Sequence, residues 1–313
     1  MSNYNILITD GLDERGQSIL RASAKVDYRD STPADDLLEA IGSYDALIVR
    51  GQTRVTAAVM DAASQLKVIG RAGVGVDNID LEAAKKHNIA VVNAPTSTTV
   101  AVAELTFGLL LALAREIPRA EAAMKQGQWL KKEFEGTELN GKTLGIIGFG
   151  RIGMEVSRRA AAFGMNVIVY DPNVTEHELE HGNADPVSLQ DLFAWSEFIS
   201  LHLPLNVQTR DLVGPMALSQ MKDGVRIIST ARGGIIDEAA LLEALNSGKV
   251  AGAALDVFEK EPPGLTEFVS HPRVIATPHI GAQTSEAQSR AAEDIANEVL
   301  SVLQGKSPRW KVA

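Results

Sequence analysis

Short apolar runs alternate with longer amphipathic stretches along nearly the whole chain, the pattern of a parallel sheet covered on both faces by helices. Val, Ile, Leu and Ala recur in these runs, as expected for strands buried on both sides. A first series of predicted strands covers residues 5–9, 25–28, 46–49, 67–70 and 90–92. A second covers 144–147, 166–170, 197–201, 225–229, 252–257 and 274–276. Between them, residues 94–140 hold one long helical pattern ended by Arg115 and Pro118, then a polar, basic stretch over 126–132. Residues 285–303 place Ala291, Ile295, Val299 and Val302 at helical spacing, in a helix expected to cross back to the first domain. The predicted fold class is α/β, with two doubly wound parallel-sheet domains and a cleft between them. Residues 1–97 with 285–313 form one domain and 98–284 the other. Solenoid repeats and low-complexity tracts are absent from the sequence.

Length and composition sharpen this picture. A chain of 313 residues suits about two domains. Its 45% hydrophobic and 22% charged residues exclude a disordered or fibrous protein, and 5% aromatics make the core mainly aliphatic. The formal charge of -10 argues against nucleic acid and anionic membrane surfaces as partners, while leaving small anions open to a local cluster of basic residues. With 0 cysteines there is no disulfide, thiolate metal site or cysteine nucleophile. The amino terminus lacks the basic start and long apolar stretch of a secretory signal. The most apolar window, 100–114, is shorter than the roughly 20 residues of a membrane span and contains Glu104. It reads as a buried helix, and the expected location is cytoplasmic.

Gly148-Phe149-Gly150-Arg151-Ile152-Gly153 follows a predicted strand and opens a predicted helix, and the next strand ends in Asp171 roughly twenty residues on. Glycines allow the sharp turn and close approach of a pyrophosphate, which the helix N-terminus attracts with unpaired N–H groups and its dipole. Asp171 would accept hydrogen bonds from the adenosine ribose. A 2′-phosphate near that carboxylate would be repelled by roughly 4 kcal/mol at 4 Å and an effective dielectric of 20. No Arg or Lys follows in residues 172–175, so the cofactor read here is NAD rather than NADP.

Three polar residues fall where such a sheet binds ligands, at its carboxyl edge. Arg232, in Ala231-Arg232-Gly233-Gly234, offers a guanidinium that can clamp a carboxylate through two hydrogen bonds. His279 sits between Pro278 and Ile280-Gly281, and Glu261 lies in Glu259-Lys260-Glu261-Pro262. A carboxylate beside the imidazole would raise its pKa from roughly 6.5 and suit it to proton transfer at working pH.

These motifs resemble the D-2-hydroxyacid dehydrogenase family over nearly the whole chain. Further signatures are Arg71-Ala72-Gly73-Val74-Gly75-Val76-Asp77-Asn78, Ala254-Leu255-Asp256-Val257-Phe258 and Pro278-His279-Ile280-Gly281-Ala282. The stretch Gly136-Thr137-Glu138-Leu139-Asn140-Gly141-Lys142-Thr143-Leu144-Gly145 through Gly153 is most like the phosphoglycerate-oxidising branch. The resemblance implies a Rossmann domain for NAD and a flavodoxin-like substrate domain. It further implies Arg232 as the carboxylate and carbonyl clamp, His279 as acid/base and Glu261 as its partner. Cofactor positions implied are Val74, Gly148, Gly150, Arg151, Ile152, Gly153, Asp171, Leu203, Thr230, Ala231, Asp256 (on the nicotinamide amide) and Gly281. Ala72, Gly73, Val74 and Gly75 would present N–H groups to the substrate carboxylate. Arg50, Arg54, Arg71, Lys131 and Lys132 are candidate phosphate contacts. Gly51 and Gln52 depart from the serine and small residue of phosphoglycerate enzymes, and Lys131 stands where an arginine is familiar.

The substrate expected is therefore a small D-2-hydroxy acid, with 3-phosphoglycerate first and glyoxylate or hydroxypyruvate reduction the nearest competitor. The resemblance also implies a homodimer joined around residues 100–129, with Trp129 near a neighbour's active site. The sequence stops soon after its last helix, so no serine-sensing carboxyl-terminal domain, and no feedback through one, is expected. The rival from another class is an NAD-responsive corepressor of the same fold. His177-Glu178-Leu179-Glu180-His181 matches a zinc-protease pattern but sits just after Asp171, and reads as a solvated helix with no metal. Asn173-Val174-Thr175 matches a glycosylation site that a cytoplasmic chain would not use.

Overall fold

A computed structural model describes residues 4–29 and 34–313. The extreme amino terminus, read above for targeting signals, lies partly outside the described residues. The chain divides into two compact units, Met1–Thr99 with Ala282–Ala313, and Val100–Gly281.

In the first unit, strands β1 (Asn5–Thr9), β2 (Lys25–Arg29), β3 (Ala46–Val49), β4 (Val68–Arg71) and β5 (Ala90–Asn93) form a parallel sheet in the order β2-β1-β3-β4-β5. The connecting helices are α1 (Glu14–Arg21), α2 (Ala34–Ala40), α3 (Ala57–Ala62) and α4 (Leu81–Lys86). Asp13 and Asp80 cap α1 and α4 by accepting backbone N–H bonds from Arg15 and Ala83. The central strands are almost wholly buried, as their unbroken apolar runs require: Ile6, Leu7, Ile8, Leu47, Ile48 and Ile69 are all at 0% exposure.

The second unit begins with α5 (Thr99–Ala114), whose one face packs with Phe149, Val156 and Phe198 in the core. Pro118, expected to end a helix, instead opens one. Glu116 takes a left-handed conformation, and α6 (Ile117–Lys125) starts with Pro118 in its first turn, where the missing N–H costs nothing. Next come β6 (Thr143–Ile147), α7 (Arg151–Ala162), β7 (Asn166–Tyr170), α8 (Glu176–Gly182), β8 (Asp185–Pro186), α9 (Leu189–Trp195) and β9 (Phe198–Leu201). The unit continues through α10 (Pro215–Gln220), β10 (Val225–Ser229), α11 (Glu238–Ser247), β11 (Val250–Leu255), α12 (Glu267–Ser270) and β12 (Val274–Ala276). Its seven strands are parallel in the order β12-β11-β10-β9-β6-β7-β8. The two-residue β8 had no counterpart among the predicted strands, because Asp and Pro carry no strand signal.

Because all seven strands run the same way, every loop that follows a strand opens on one edge. The strand order reverses between β6 and β9, so the carboxyl ends of these two strands flank the crevice in which doubly wound sheets take ligands.

Helix α13 (Ser285–Leu303) belongs to the first unit and packs on α1 and β4. Gly16 on α1 and Gly70 on β4 permit this approach: a Cβ on Gly16 would overlap the backbone of Ala292, and one on Gly70 would meet Val299 at 2.6 Å. Among the described residues no helix is long and apolar enough to cross a membrane.

Candidate functional site

The glycine-rich turn joins β6 to α7. Gly148 has φ +91, and a Cβ there would overlap the carbonyl of His202 at the end of β9. A Cβ on Gly153 would overlap the carbonyl oxygen of Gly148, so the helix can lie on the turn only with glycine at that place. Gly150 is different. It precedes the first turn of α7 in extended conformation, and a Cβ there would meet nothing within 4 Å. Two glycines thus close the turn, and the third keeps its outer face clear for a ligand at the positive end of a twelve-residue helix.

Asp171 stands beside this turn, since β7 pairs with β6 up to Tyr170 opposite Ile147. Its Oδ2 accepts the Phe149 N–H at 2.8 Å, and Oδ1 accepts the Asn173 N–H at 2.9 Å. The carboxylate is fixed at the mouth of the turn, where it retains lone pairs for hydroxyl donors. Arg151 and Ile152 lie in the first turn of α7, and Leu203 follows β9 against Gly148, whose Cβ would meet the Leu203 Cβ at 3.1 Å. This cradle suits a dinucleotide: N–H groups and helix dipole for the pyrophosphate, and a carboxylate for the ribose.

Further along the edge, the loops after β10, β11 and β12 bring together Arg232, Glu261 and His279. The His279 Nδ1 lies 2.7 Å from Glu261 Oε2. The other oxygen, Oε1, accepts the Phe258 N–H at 3.1 Å. Burial alone would push the Glu261 carboxyl up. Hydrogen bonds from the His279 ring and the Phe258 N–H, with the charges of His279 and Arg232, outweigh it and hold the carboxyl below its ordinary range. An ionised carboxylate only accepts, so the shared proton is assigned to Nδ1, and Nε2 remains for exchange with a substrate. Arg232 follows β10, half-buried, and its Nη1 donates to the Ala231 carbonyl at 2.7 Å. Its neighbour Gly233 packs so tightly on the Phe258 carbonyl that any Cβ would overlap it, which ties the Arg232 loop to the Glu261 loop. Thr230 is buried with its hydroxyl 2.8 Å from that of Thr106, and Ala231 is buried beside it.

Asp256 has a place that the sequence did not disclose. At 1% exposure, its Oδ1 accepts from the Thr277 hydroxyl at 2.6 Å and the Ile280 N–H at 2.8 Å, while Oδ2 accepts the Gly281 N–H at 2.8 Å. It anchors both sides of the loop that presents His279, whose φ of +52 is unusual for a residue with a side chain. Those three bonds occupy most of its capacity to accept.

In the first unit, Arg50 follows β3, with its N–H given to Asp10 at 3.0 Å. In the loop after β4, the Ala72 N–H bonds the Val49 carbonyl at 2.9 Å and the Gly73 N–H bonds the Arg71 carbonyl at 2.8 Å. Val74 and Gly75 N–H groups have no hydrogen-bond acceptor among the described residues, and the Val74 carbonyl is held by Asn93 at 2.7 Å. Arg54, Lys131 and Lys132 are exposed. The His177 and His181 rings stack 4.0 Å apart on α8, and the His181 Nδ1 contacts the His177 carbonyl at 2.8 Å, an arrangement internal to the helix.

Residues 107–281 match the family described as D-isomer specific 2-hydroxyacid dehydrogenase, NAD binding domain. The chain is 49% identical over 302 residues to a D-3-phosphoglycerate dehydrogenase of Methanocaldococcus jannaschii, covering 96% of this chain and 58% of that protein. This chain thus spans little more than half the length of that relative. A hydroxypyruvate reductase of Thermotoga maritima is 46% identical over 307 residues, 97% of this chain and 99% of its own. A glyoxylate reductase structure from Paecilomyes thermophila superposes with a TM-score of 0.91 at 35% identity, covering 100% of this chain and 99% of that one. The glycine cradle, the anchored histidine loop and these likenesses agree, and the chain belongs to the D-isomer specific 2-hydroxyacid dehydrogenase family.

Proposed function

We propose that this chain is an NAD-dependent oxidoreductase that interconverts the hydroxyl and ketone at C2 of a small D-2-hydroxy acid. The observation that carries this reading is the 2.7 Å contact between His279 and Glu261, at the sheet edge that also bears the glycine turn and Arg232. Bound NAD supplies the hydride acceptor, and NADH the donor in the reverse direction. The protein's part is protonic and electrostatic. In oxidation the His279 Nε2 takes the C2 hydroxyl proton while Glu261 steadies the imidazolium through Nδ1. In reduction the imidazolium returns that proton to the ketone oxygen. Arg232 clamps the substrate carboxylate and polarises the carbonyl.

Arg50 and the N–H groups of Val74 and Gly75 are assigned to the substrate. Ala72 and Gly73 contribute through the shape of the loop, since their own N–H groups are bonded internally. Asp171 directs the site to NAD, with Gly150, Arg151, Ile152, Leu203, Thr230, Ala231 and Gly281 lining the cofactor. For Asp256 the role assigned is to hold the histidine loop beside the nicotinamide.

Oxidation of 3-phosphoglycerate is the first substrate reading, in keeping with the named function of the phosphoglycerate relatives. Reduction of hydroxypyruvate is the second, favoured by the Thermotoga relative that matches this chain end to end. Absorbance of the nicotinamide cofactor separates them. NAD is offered with 3-phosphoglycerate, and NADH with 3-phosphohydroxypyruvate, hydroxypyruvate, glyoxylate and pyruvate. Turnover of a phosphorylated substrate at the highest kcat/KM supports the first reading, and of hydroxypyruvate the second. Inactivity with all of them refutes the dehydrogenase and leaves an NAD-responsive binding protein.

We also infer a homodimer joined around residues 100–129. Ile117, Met124 and Trp129 are 52%, 56% and 78% exposed, an apolar concentration that suits a protein contact. Light scattering that gives a stable monomer would remove this inference.

A further inference from the structure

The loop that carries Arg50 is held from beneath by two side chains to which no part of the site above is assigned. Asp10 follows the end of β1 with φ +64, a left-handed conformation in which its carboxylate reaches the loop after β3. There it accepts the N–H groups of Arg50 at 3.0 Å, Gln52 at 3.1 Å and Thr53 at 2.9 Å, and the Thr53 hydroxyl at 2.6 Å. Asn78 completes the hold from the other direction, donating Nδ2 to the carbonyls of Arg50 at 3.1 Å and Thr53 at 2.7 Å. The Asn78 backbone carbonyl also accepts the Val55 N–H at 2.8 Å, so the loop after β3 and the loop after β4 are joined.

This arrangement is selective. Bonds are made to residues 50, 52 and 53, and Gly51 is passed over. A Cβ on Gly51 would meet nothing within 4 Å, so the loop offers an open face at the residue next to Arg50. Four donors on one carboxylate, the Arg50 and Thr53 carbonyls tied to one amide, and a conformation that disfavours Asp10 itself amount to a pre-set loop. A loop so fixed loses less entropy when it meets an anion than a mobile one would.

We propose that Asp10 and Asn78 are positioning residues for the substrate: they fix residues 50–53 so that Arg50 and the open face at Gly51 are held ready for an anionic group of the hydroxy acid. The proposal rests on the assignment of Arg50 to the substrate made above.

The test compares Arg50→Ala, Asp10→Ala, Asp10→Asn and Asn78→Ala in steady-state reduction of 3-phosphohydroxypyruvate and hydroxypyruvate. NADH affinity is measured by fluorescence, and amide hydrogen exchange is followed across residues 50–53. Hydrogen bonds to a charged group are strong enough that losing this set should raise KM by about tenfold or more. The expected result is that rise for Asp10→Ala and Asn78→Ala, a smaller one for Asp10→Asn, which keeps one acceptor oxygen, and faster exchange at 50–53. NADH affinity stays at the wild-type level and kcat falls less than KM rises. Three outcomes overturn the proposal. If Arg50→Ala raises KM while the Asp10 and Asn78 variants do not, the positioning role fails and the Arg50 assignment stands. If Arg50→Ala is silent, the assignment itself fails. If KM rises while kcat and NADH affinity fall by similar factors in Asp10→Asn and Asn78→Ala, or exchange at 50–53 is unchanged in every variant, the two residues serve only general stability or nothing.

Discussion

Two glycines of the turn, Gly150 and Gly153, should respond to the same substitution in opposite ways. At Gly150 an added methyl group meets nothing within 4 Å, and the extended backbone accepts alanine without strain. Two small terms then oppose each other. Alanine before the first turn of a helix costs about 0.5–1 kcal/mol relative to glycine, and the reduced freedom of the unfolded chain restores about 0.4–1 kcal/mol. Gly150→Ala should therefore unfold in urea within about 0.5 kcal/mol of the wild type. At Gly153 the same methyl overlaps the Gly148 carbonyl oxygen, and relief requires helix α7 to move off the turn, with an overpacking cost of about 1–3 kcal/mol. If the clear face at Gly150 receives the pyrophosphate, its methyl stands where the backbone must approach the ligand, and calorimetry should show NAD binding weakened at least about tenfold. Stability kept with affinity lost is the signature expected of Gly150→Ala, and loss of both is expected of Gly153→Ala. Wild-type NAD affinity in Gly150→Ala would refute the placement of the cofactor on this face.

Other expectations follow from the remaining groups at the sheet edge. His202 follows β9 beside the turn, partly buried, with Nε2 2.8 Å from the Ser200 hydroxyl, and desolvation pushes its pKa down to about 3. The unfolded chain, titrating near 6.5, binds the proton first, so stability is full above that value and falls as pH drops from 6.5 toward 3. Because part of the residue reaches solvent, the loss is at most a few kcal/mol, and His202→Gln should lose less over the same window in urea unfolding. An imidazole that titrates near its ordinary value by NMR would contradict this. Asp256→Asn replaces one acceptor oxygen with an NH2 donor that faces a donor, and should cost about 1–3 kcal/mol and lower kcat by loosening the His279 loop; wild-type stability and kcat would show the anchor to be dispensable. Asp171→Ala should weaken NAD more than NADP, and an unchanged ratio of the two affinities would remove Asp171 from the ribose.

Much of this was readable in the chain because parallel strands buried on both faces are written as unbroken apolar runs, and because the glycine turn needs its three residue types at fixed spacing. Strand ends moved by one or two residues where polar caps continue the ladder, as at Arg29, Arg71 and Asn93. Helix α6 is not legible in the pattern because a proline after a helical run reads as a stop, whereas the left-handed Glu116 lets the chain turn and lets proline begin a new helix. The partnership of Glu261 with His279 was anticipated as a combination of residue types. The work of Asp10, Asn78 and Asp256 was not, since a carboxylate that collects backbone N–H groups from another loop leaves no periodicity or local motif, only a contact that folding creates. The signal Asp10 does carry is that of an acidic residue just after an apolar strand and followed by glycine, although the same pair commonly marks an ordinary turn.

The most direct measurement is the single-turnover rate of nicotinamide reduction or oxidation in His279→Gln, taken with NAD affinity on the same preparation. General acid/base catalysis contributes about 100- to 10,000-fold, so the rate should fall by a factor in that range while NAD affinity holds at the wild-type level. A rate that survives the substitution, or an affinity that falls in step with it, would contradict the assignment of proton transfer to this imidazole.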